Sequence, residues 1–358
     1  MTACKWNNEE ELCFNLQKLY GGFGYQRYKM GKFEEYSLYL DNKNFLKSQS
    51  VITFNDHGGK LMALKPDVTL SIVKNAAPGQ PRKVYYKESV YRPDKTTGEF
   101  REISQIGLEL LGGVDDVATA EVLFLAAKSL EEIDDDYILD VAHPGVVAGL
   151  IEDCGAAGFA GELYAFVSAK NTHDLKNFCR EKGVDETLSD KLAALVSCGG
   201  DCASALKTAE QAAGETKSLG ILRSVCRAAE ALGIADKIRL DFSIVGDADY
   251  YKGVMFTGYV GGSPYPVLSG GRYDKLAGKY GIDSGIGFAL YLDQLSFYGG
   301  AKSGGTDAVV LYDDATAPAR VVAAVKKFAD GGLTAAAVRS LPDGFGGKIE
   351  DLRRCADA

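Results

Sequence analysis

The sequence predicts an α+β fold: an antiparallel sheet flanked by helices, with a helical insertion and a small C-terminal α/β tail. Three features point to it. Lys83 to Tyr91 and Glu99 to Leu111 are long extended runs, and the intervening Pro93-Asp94-Lys95-Thr96-Thr97-Gly98 supplies turn chemistry, so the segment reads as a large antiparallel hairpin. From about 145 to 235, Ala, Leu, Glu and Lys recur at helical spacing, and Gly breaks the segments at 155, 183, 199 and 214. Beyond Ser303-Gly304-Gly305, a linker-like stretch, a short strand–helix–strand pattern follows. The expected division is a core over 1–302, carrying the insertion, and a tail over 303–358.

Residues 7–20 are expected to be helical. Asn7 or Asn8 can cap, Glu9 to Glu11 suit the positive end of the helix dipole, and Leu12, Leu16 and Leu19 share one face before Gly21-Gly22 stops it. Strand-like runs follow at Tyr36 to Leu40, Val51 to Phe54 and Leu61 to Leu64. After the hairpin, Asp115-Asp116 caps a helix reaching about Leu130, and Tyr137 to Ala142 is a strand. Strand patterning returns at Lys237 to Val245, Val254 to Val260 and Tyr265 to Leu268. Gly285 to Gly287 leads into a helix from about Ala289. In the tail, Ala308 to Tyr312 and Leu333 to Val338 read as strands, with helices at Ala317 to Phe328 and Lys348 to Cys355.

The 358 residues suffice for a sizeable core, and 46% apolar with 25% charged residues is ordinary for a soluble globular protein. A net charge of −9 without a basic run disfavours a large nucleic-acid partner. No apolar run approaches the ~20 residues of a membrane span, and Met1 to Asn8 has no apolar signal core, so a cytoplasmic location is expected. The eight cysteines are irregularly spaced and read as mostly buried free thiols. Cys198 and Cys202 lack a second pair to complete a zinc site, and His57, His143 and His173 are widely separated, so neither metal nor cofactor is expected.

Within the hairpin, Gln105 and Glu109 lie four apart on one strand and so face one side, with Arg101 on the same side and Arg92 near the end of the other strand. An Arg, a Gln and a Glu facing a cleft suit carboxylate, amide or ammonium groups, although a solvated sheet face would carry the same residues. Asp67 and Thr69 stand at a turn into a helix, where a plain helix cap accounts equally well for Asp67. Asp249-Tyr250-Tyr251 and Gly270-Gly271-Arg272-Tyr273-Asp274 combine tyrosine walls with glycines that permit close approach; a β-bulge with core tyrosines reads the same.

Taken in order, Leu64-Lys65-Pro66-Asp67-Val68-Thr69, Tyr91-Arg92, Gln105-Ile106-Gly107-Leu108-Glu109, Asp249-Tyr250-Tyr251, Gly270-Gly271-Arg272-Tyr273-Asp274 and Gly285-Ile286-Gly287-Phe288-Ala289-Leu290 resemble the catalytic core of the histidyl-tRNA synthetases over roughly 7–297. The resemblance implies a class II aminoacyl-tRNA synthetase-like fold, usually dimeric. Carried over residue by residue, it implies a histidine site. Asp67 (usually a longer glutamate in that family) meets the ammonium, Thr69 adds a hydrogen bond, and Arg92 pairs with the carboxylate. Gln105 and Glu109 contact the α-amino end. Tyr250 and Tyr251 shape the imidazole pocket, with Tyr273 nearby.

The departures matter as much. An arginine aimed at the reacting carboxylate and α-phosphate is Gly246 here, one that holds the ATP tail is Gln294, and hairpin-loop Arg and Glu positions hold Glu99 and Asp94. Adenylate formation puts negative charge on phosphates, and one well-placed donor is worth roughly 3–4 kcal/mol of barrier. The tail over 303–358 is also much shorter than that family's anticodon-binding domain. This pattern is similar to the regulatory-subunit family of ATP phosphoribosyltransferase, as are Asp241-Phe242-Ser243-Ile244-Val245, Tyr250-Tyr251-Lys252-Gly253 and Leu268-Ser269-Gly270-Gly271. Phe33-Glu34-Glu35-Tyr36 resembles its dimer-side motif, with Gly31 at a usual proline. That resemblance implies a non-catalytic chain that dimerises, assembles with a short-form catalytic subunit into a hetero-octamer, and transmits feedback by histidine. An active histidyl-tRNA synthetase and a stand-alone histidine or tRNA sensor are the alternatives.

Overall fold

The computed structural model describes residues 9–43, 46, 50–77, 79, 81–94, 97–245, 253–261, 263–295, 306–342 and 344–353. The chain divides into two compact units, Met1–Gly299 and Gly300–Ala358. Among the described residues no helix is long and apolar enough to cross a membrane.

The first unit opens with α1 (Glu9–Gly22), β1 (Gln26–Arg27), β2 (Phe33–Glu35), α2 (Tyr36–Leu40), β3 (Thr53–Asn55), β4 (Leu61–Leu64) and α3 (Val68–Lys74). The hairpin is β5 (Arg82–Pro93) and β6 (Phe100–Leu111), followed by α4 (Asp116–Glu131) and β7 (Tyr137–Ala142). The insertion comprises α5 (Gly145–Asp153), α6 (Ala160–Ser168), α7 (Thr172–Lys182), α8 (Glu186–Ser197), the two-residue β8 (Gly199–Gly200), α9 (Cys202–Ala213) and α10 (Lys217–Ala231). Then come β9 (Ile238–Asp241), β10 (Met255–Val260), β11 (Leu268–Arg272), α11 (Asp274–Gly278) and β12 (Gly285–Tyr291).

Nine strands form one sheet in the order β1-β5-β6-β12-β11-β10-β7-β9-β8. From β5 through β7 every pairing is antiparallel, as expected. The sheet is mixed, however, because β1 lies parallel to β5 and β9 parallel to β7. Strand alternation gives β6 two different faces. Ile106, Leu108 and Leu110 enter the larger core with Leu12 and Leu16 of α1 and Val122, Leu125 and Leu130 of α4. Gln105, Gly107 and Glu109 look the other way. On that side Val84, Tyr86 and Val90 of β5 pack with Leu70, Ile72 and Val73 of α3 and Leu276 of α11. The Asp115 carboxylate accepts from the Ala118 N–H and starts α4 as expected.

In the first unit four expectations fail. Tyr36 to Leu40 is helix. Leu38 and Tyr39, neighbours in sequence, are both buried while Leu40 is exposed, which breaks the alternation of a half-buried strand, and Asn42 caps the turn by donating to the Leu38 carbonyl at 2.8 Å. The helix from Ala289 is instead the end of β12, followed by a 3₁₀ turn over Leu292–Leu295. β12 is sandwiched between β6 and β11 and buried over most of its length, so its apolar run carries no alternation. The Tyr265 to Leu268 strand starts only at Leu268 and runs on to Arg272. The strand expected through Val245 stops at Asp241, whose carboxylate accepts from the Ser243 N–H and turns the chain.

In the second unit, β13 (Ala308–Leu311), α12 (Pro318–Asp330) and β14 (Ala335–Val338) appear where expected. The helix expected from Lys348 is a strand, β15 (Lys348–Asp351), parallel to β13 on the side opposite β14. β13 is buried throughout, so its backbone groups need a partner on both edges, and this segment provides the second.

Candidate ligand-binding site

The turn from β4 into α3 brings Asp67 and Thr69 over the face formed by β5, β6, β11 and β12. A buried ion pair sets that turn. The fully buried Lys65 reaches Glu88 of β5 at 2.9 Å, the Lys65 carbonyl accepts from the Tyr91 N–H at 3.0 Å, and its N–H donates to the Lys32 carbonyl. Burial holds the Lys65 ammonium below its ordinary pKa, partly offset by Glu88. The turn is thereby pinned against β5, with Arg92 beside it. Arg92 donates through Nε to the Pro66 carbonyl at 2.6 Å and through Nη2 to Asp67 Oδ2 at 3.3 Å.

Asp67 has two tasks. Oδ1 accepts from the Leu70 N–H at 2.8 Å and caps α3, while Oδ2 faces Arg92. The helix-cap reading is therefore correct, and it coexists with a place in the cleft.

Glu109 is the centre of the site. It is 2% exposed, and Oε1 accepts from the Thr69 hydroxyl at 2.6 Å and Oε2 from the Tyr273 hydroxyl at 2.5 Å. Burial pushes its carboxyl up to about 8; the two hydroxyl donors pull against that rise, and the Asp67 charge adds to it. Two glycines make room. A Cβ at Gly287, opposite Glu109 on β12, would land on the Glu109 carboxylate. One at Gly107 would strike the Tyr86 hydroxyl and the Phe288 carbonyl. The free space between these side chains is about 40 Å³, the volume of one or two waters.

Asp67, Thr69, Arg92, Gln105, Glu109 and Tyr273 thus line one cleft, and Gln105 is 2% exposed within it. Tyr250, Tyr251 and Gly246 lie outside the described residues. Arg101 shares the face by register, opposite Arg92, but sits at the exposed hairpin tip and pairs with Asp94 at 3.2 Å. Glu99 is exposed beside it, and Gln294 lies in the 3₁₀ turn after β12. Sequence reasoning missed Tyr86, Ser269 and Tyr291. Tyr86 lies six residues before Arg92 and so shares its face by strand period. Ser269 and Tyr291 hydrogen-bond to each other at 2.6 Å at the cleft wall.

Residues 3–295 match the profile of the histidyl-tRNA synthetase family. The ATP phosphoribosyltransferase regulatory subunit of Thermoanaerobacter sp. (strain X514) is 31% identical over 286 residues, which are 76% of this chain and 73% of that protein. An ATP phosphoribosyltransferase regulatory subunit/histidyl-tRNA synthetase structure from Bacillus halodurans matches with a TM-score of 0.77 at 22% identity, over 97% of this chain and 94% of that one. A chain of the ATP phosphoribosyl transferase complex from Thermotoga maritima matches with a TM-score of 0.65 at 18% identity, over 79% of this chain and 96% of that one. At such identities these two structures establish the class II synthetase-like fold. With that fold, the profile match over most of its length and the Thermoanaerobacter relative, the chain belongs to the histidyl-tRNA synthetase-like family, in the branch of the ATP phosphoribosyltransferase regulatory subunits.

Proposed function

We propose that this chain is the non-catalytic regulatory subunit of a cytoplasmic ATP phosphoribosyltransferase, needed for the first step of histidine biosynthesis and for its feedback inhibition by histidine. The observation that carries the ligand reading is Glu109, a buried carboxyl held by two hydroxyls and touched by no cation among the described residues. An amino acid's ammonium supplies the missing positive charge. Arg92, released from Asp67, takes the ligand's carboxylate, and Gln105 and Thr69 complete the polar contacts. Tyr250 and Tyr251 are assigned to the imidazole end by family resemblance alone.

Arg92 is the one cation among the described residues lining the cleft, against two carboxylates. A triphosphate needs several, which supports the absence of aminoacyl-adenylate chemistry. The name of the Thermotoga relative's complex supports a catalytic phosphoribosyltransferase chain as partner; a hetero-octamer is the assembly that family resemblance alone implies. Self-dimerisation is assigned to the small sheet of β2, β3 and β4. Phe33 and Phe54 stack edge to face at 5.1 Å there and stay 54% and 38% exposed, beside exposed Leu61.

The test is reconstitution. Mixed with a short-form catalytic subunit, the chain should raise ATP–phosphoribosyl pyrophosphate condensation, and histidine should suppress it. Robust histidine-dependent ATP–pyrophosphate exchange by the chain alone would overturn this reading in favour of an active synthetase. Phe33→Glu should shift the isolated chain from dimer to monomer in light scattering, and an unchanged mass would rule out that face.

A further inference from the structure

Further along the same face of the sheet, beyond β10, is a second hollow of about 470 Å³. Strand register builds its floor. Asp140 of β7 stands beside Arg239 of β9, and Tyr259 of β10 lies on the same face one pair along. Arg239 donates through Nε and Nη2 to both carboxylate oxygens of Asp140, at 2.6 and 2.7 Å. Asp241, two residues on along β9, accepts from the Ser243 N–H and hydroxyl and from the Lys170 ammonium at 2.8 Å. Lys170 comes from the insertion, just past α6.

The charges are layered. The Asp140 and Asp241 side chains are 3% and 13% exposed, whereas those of Arg239 and Lys170 are 41% and 56% exposed. The acids lie beneath and are occupied by the donors above them. Arg239 keeps its Nη1 group, and Lys170 keeps N–H donors beyond the one given to Asp241. Burial, reinforced by the neighbouring Asp140 and Asp241 charges, raises the Tyr259 phenol, so it keeps its proton and can donate as well. The hollow therefore presents donors on two outward cations, Arg239 and Lys170, each seated on a buried carboxylate.

The placement of Lys170 adds a second observation. α6 ends with the Asn171 N–H bonded to the Phe166 carbonyl and the Lys170 N–H to the Val167 carbonyl, a left-handed helix stop. Glycine is the residue that suits this position, yet it holds the single non-glycine residue of positive φ (53°) among the described residues. A lysine kept in a disfavoured backbone conformation, with its ammonium over the hollow, points to a use for that ammonium.

We propose that this hollow binds a small phosphate-bearing molecule, with Lys170 and Arg239 receiving the phosphate oxygens and Tyr259 closing one side. A doubly charged, acceptor-only group matches two outward cations better than a single carboxylate does. The site is separate from the amino-acid cleft and does not depend on what that cleft binds.

The probe is inorganic pyrophosphate, with orthophosphate and succinate as comparison anions at fixed ionic strength, read by calorimetry and thermal shift on the full chain. Pyrophosphate should bind and raise Tm, and succinate should bind more weakly. Lys170→Gly removes the ammonium while relieving the backbone, so it should fold at least as stably and lose about tenfold or more in affinity. Lys170→Gln should lose the same affinity without the backbone change. Arg92→Ala, in the other cleft, should leave pyrophosphate affinity intact. Absence of pyrophosphate binding, parent-like binding by both Lys170 variants, succinate binding as tightly, or loss of binding in Arg92→Ala would each overturn the proposal.

Discussion

Glu109→Gln isolates what a buried acid costs this fold. In an unfolded chain that carboxyl releases its proton near its ordinary value of 4.5; in the folded chain burial holds the proton to about 8. Between those values the native state carries more proton than the unfolded state. Stability therefore falls as pH rises from about 4.5 to about 8, and levels off above. At 1.36 kcal/mol per pH unit, the whole span is on the order of 5 kcal/mol. Glutamine keeps the shape and one carbonyl acceptor but has no proton to lose, so its own cost is the same at every pH. Urea unfolding of both proteins at pH 5 and pH 8.5 cancels every other titrating group. The difference in unfolding free energy should move in favour of the variant by several kcal/mol between the two conditions. A difference that stays flat would mean that Glu109 is an ordinary ionised carboxylate, and the account of the cleft would fail. The same proton links to the ligand. Seating an ammonium on Glu109 favours the ionised form, so histidine affinity should climb with pH up to about 8 in the parent protein and lose that climb in Glu109→Gln.

Arg92→Ala removes the cleft's cation. Histidine at 100 times its dissociation constant should stabilise the parent by about 2.7 kcal/mol, and thermal shift should show most of that gain gone in the variant. Gly287→Ala drives a methyl group into the Glu109 carboxylate and should cost about 1–3 kcal/mol together with the histidine shift. Gly149→Ala, in α5 with open space around it, should stabilise by about 0.5–1 kcal/mol and serves as its control. Lys65→Ala strands Glu88 and should cost about 3–5 kcal/mol in urea unfolding, whereas Lys65→Met with Glu88→Leu should recover most of it; no recovery would show that the pair positions the turn by more than its charges.

The large hairpin was legible because turn residues and long β-rich runs coincide at 82–111, and nothing in the tertiary structure competes with that signal. The cleft face was legible through simple alternation, which puts Gln105 and Glu109 together, and through the helix start that brings Asp67 and Thr69 to them. Tyr86 was hidden because its role depends on Gly107 across the strand pair, a long-range fact that no local window contains. Tyr36 to Leu40 misled because Tyr36, Leu38 and Leu40 alternate like a strand, while burial of Tyr39 decides for helix. At β12 and β15 the local pattern was ambiguous, and neighbouring strands with unpaired edges settled the conformation.

Asp67 both begins a helix and faces the cleft, so an occupant that draws on its carboxylate acts on the first turn of α3. Further along that helix, Ser71 and Lys74 hold Glu34 at 3.1 Å each, and Glu34 lies on β2 next to the exposed Phe33. The cleft and the exposed Phe33 are thus linked through one short helix, held at both ends through carboxylates.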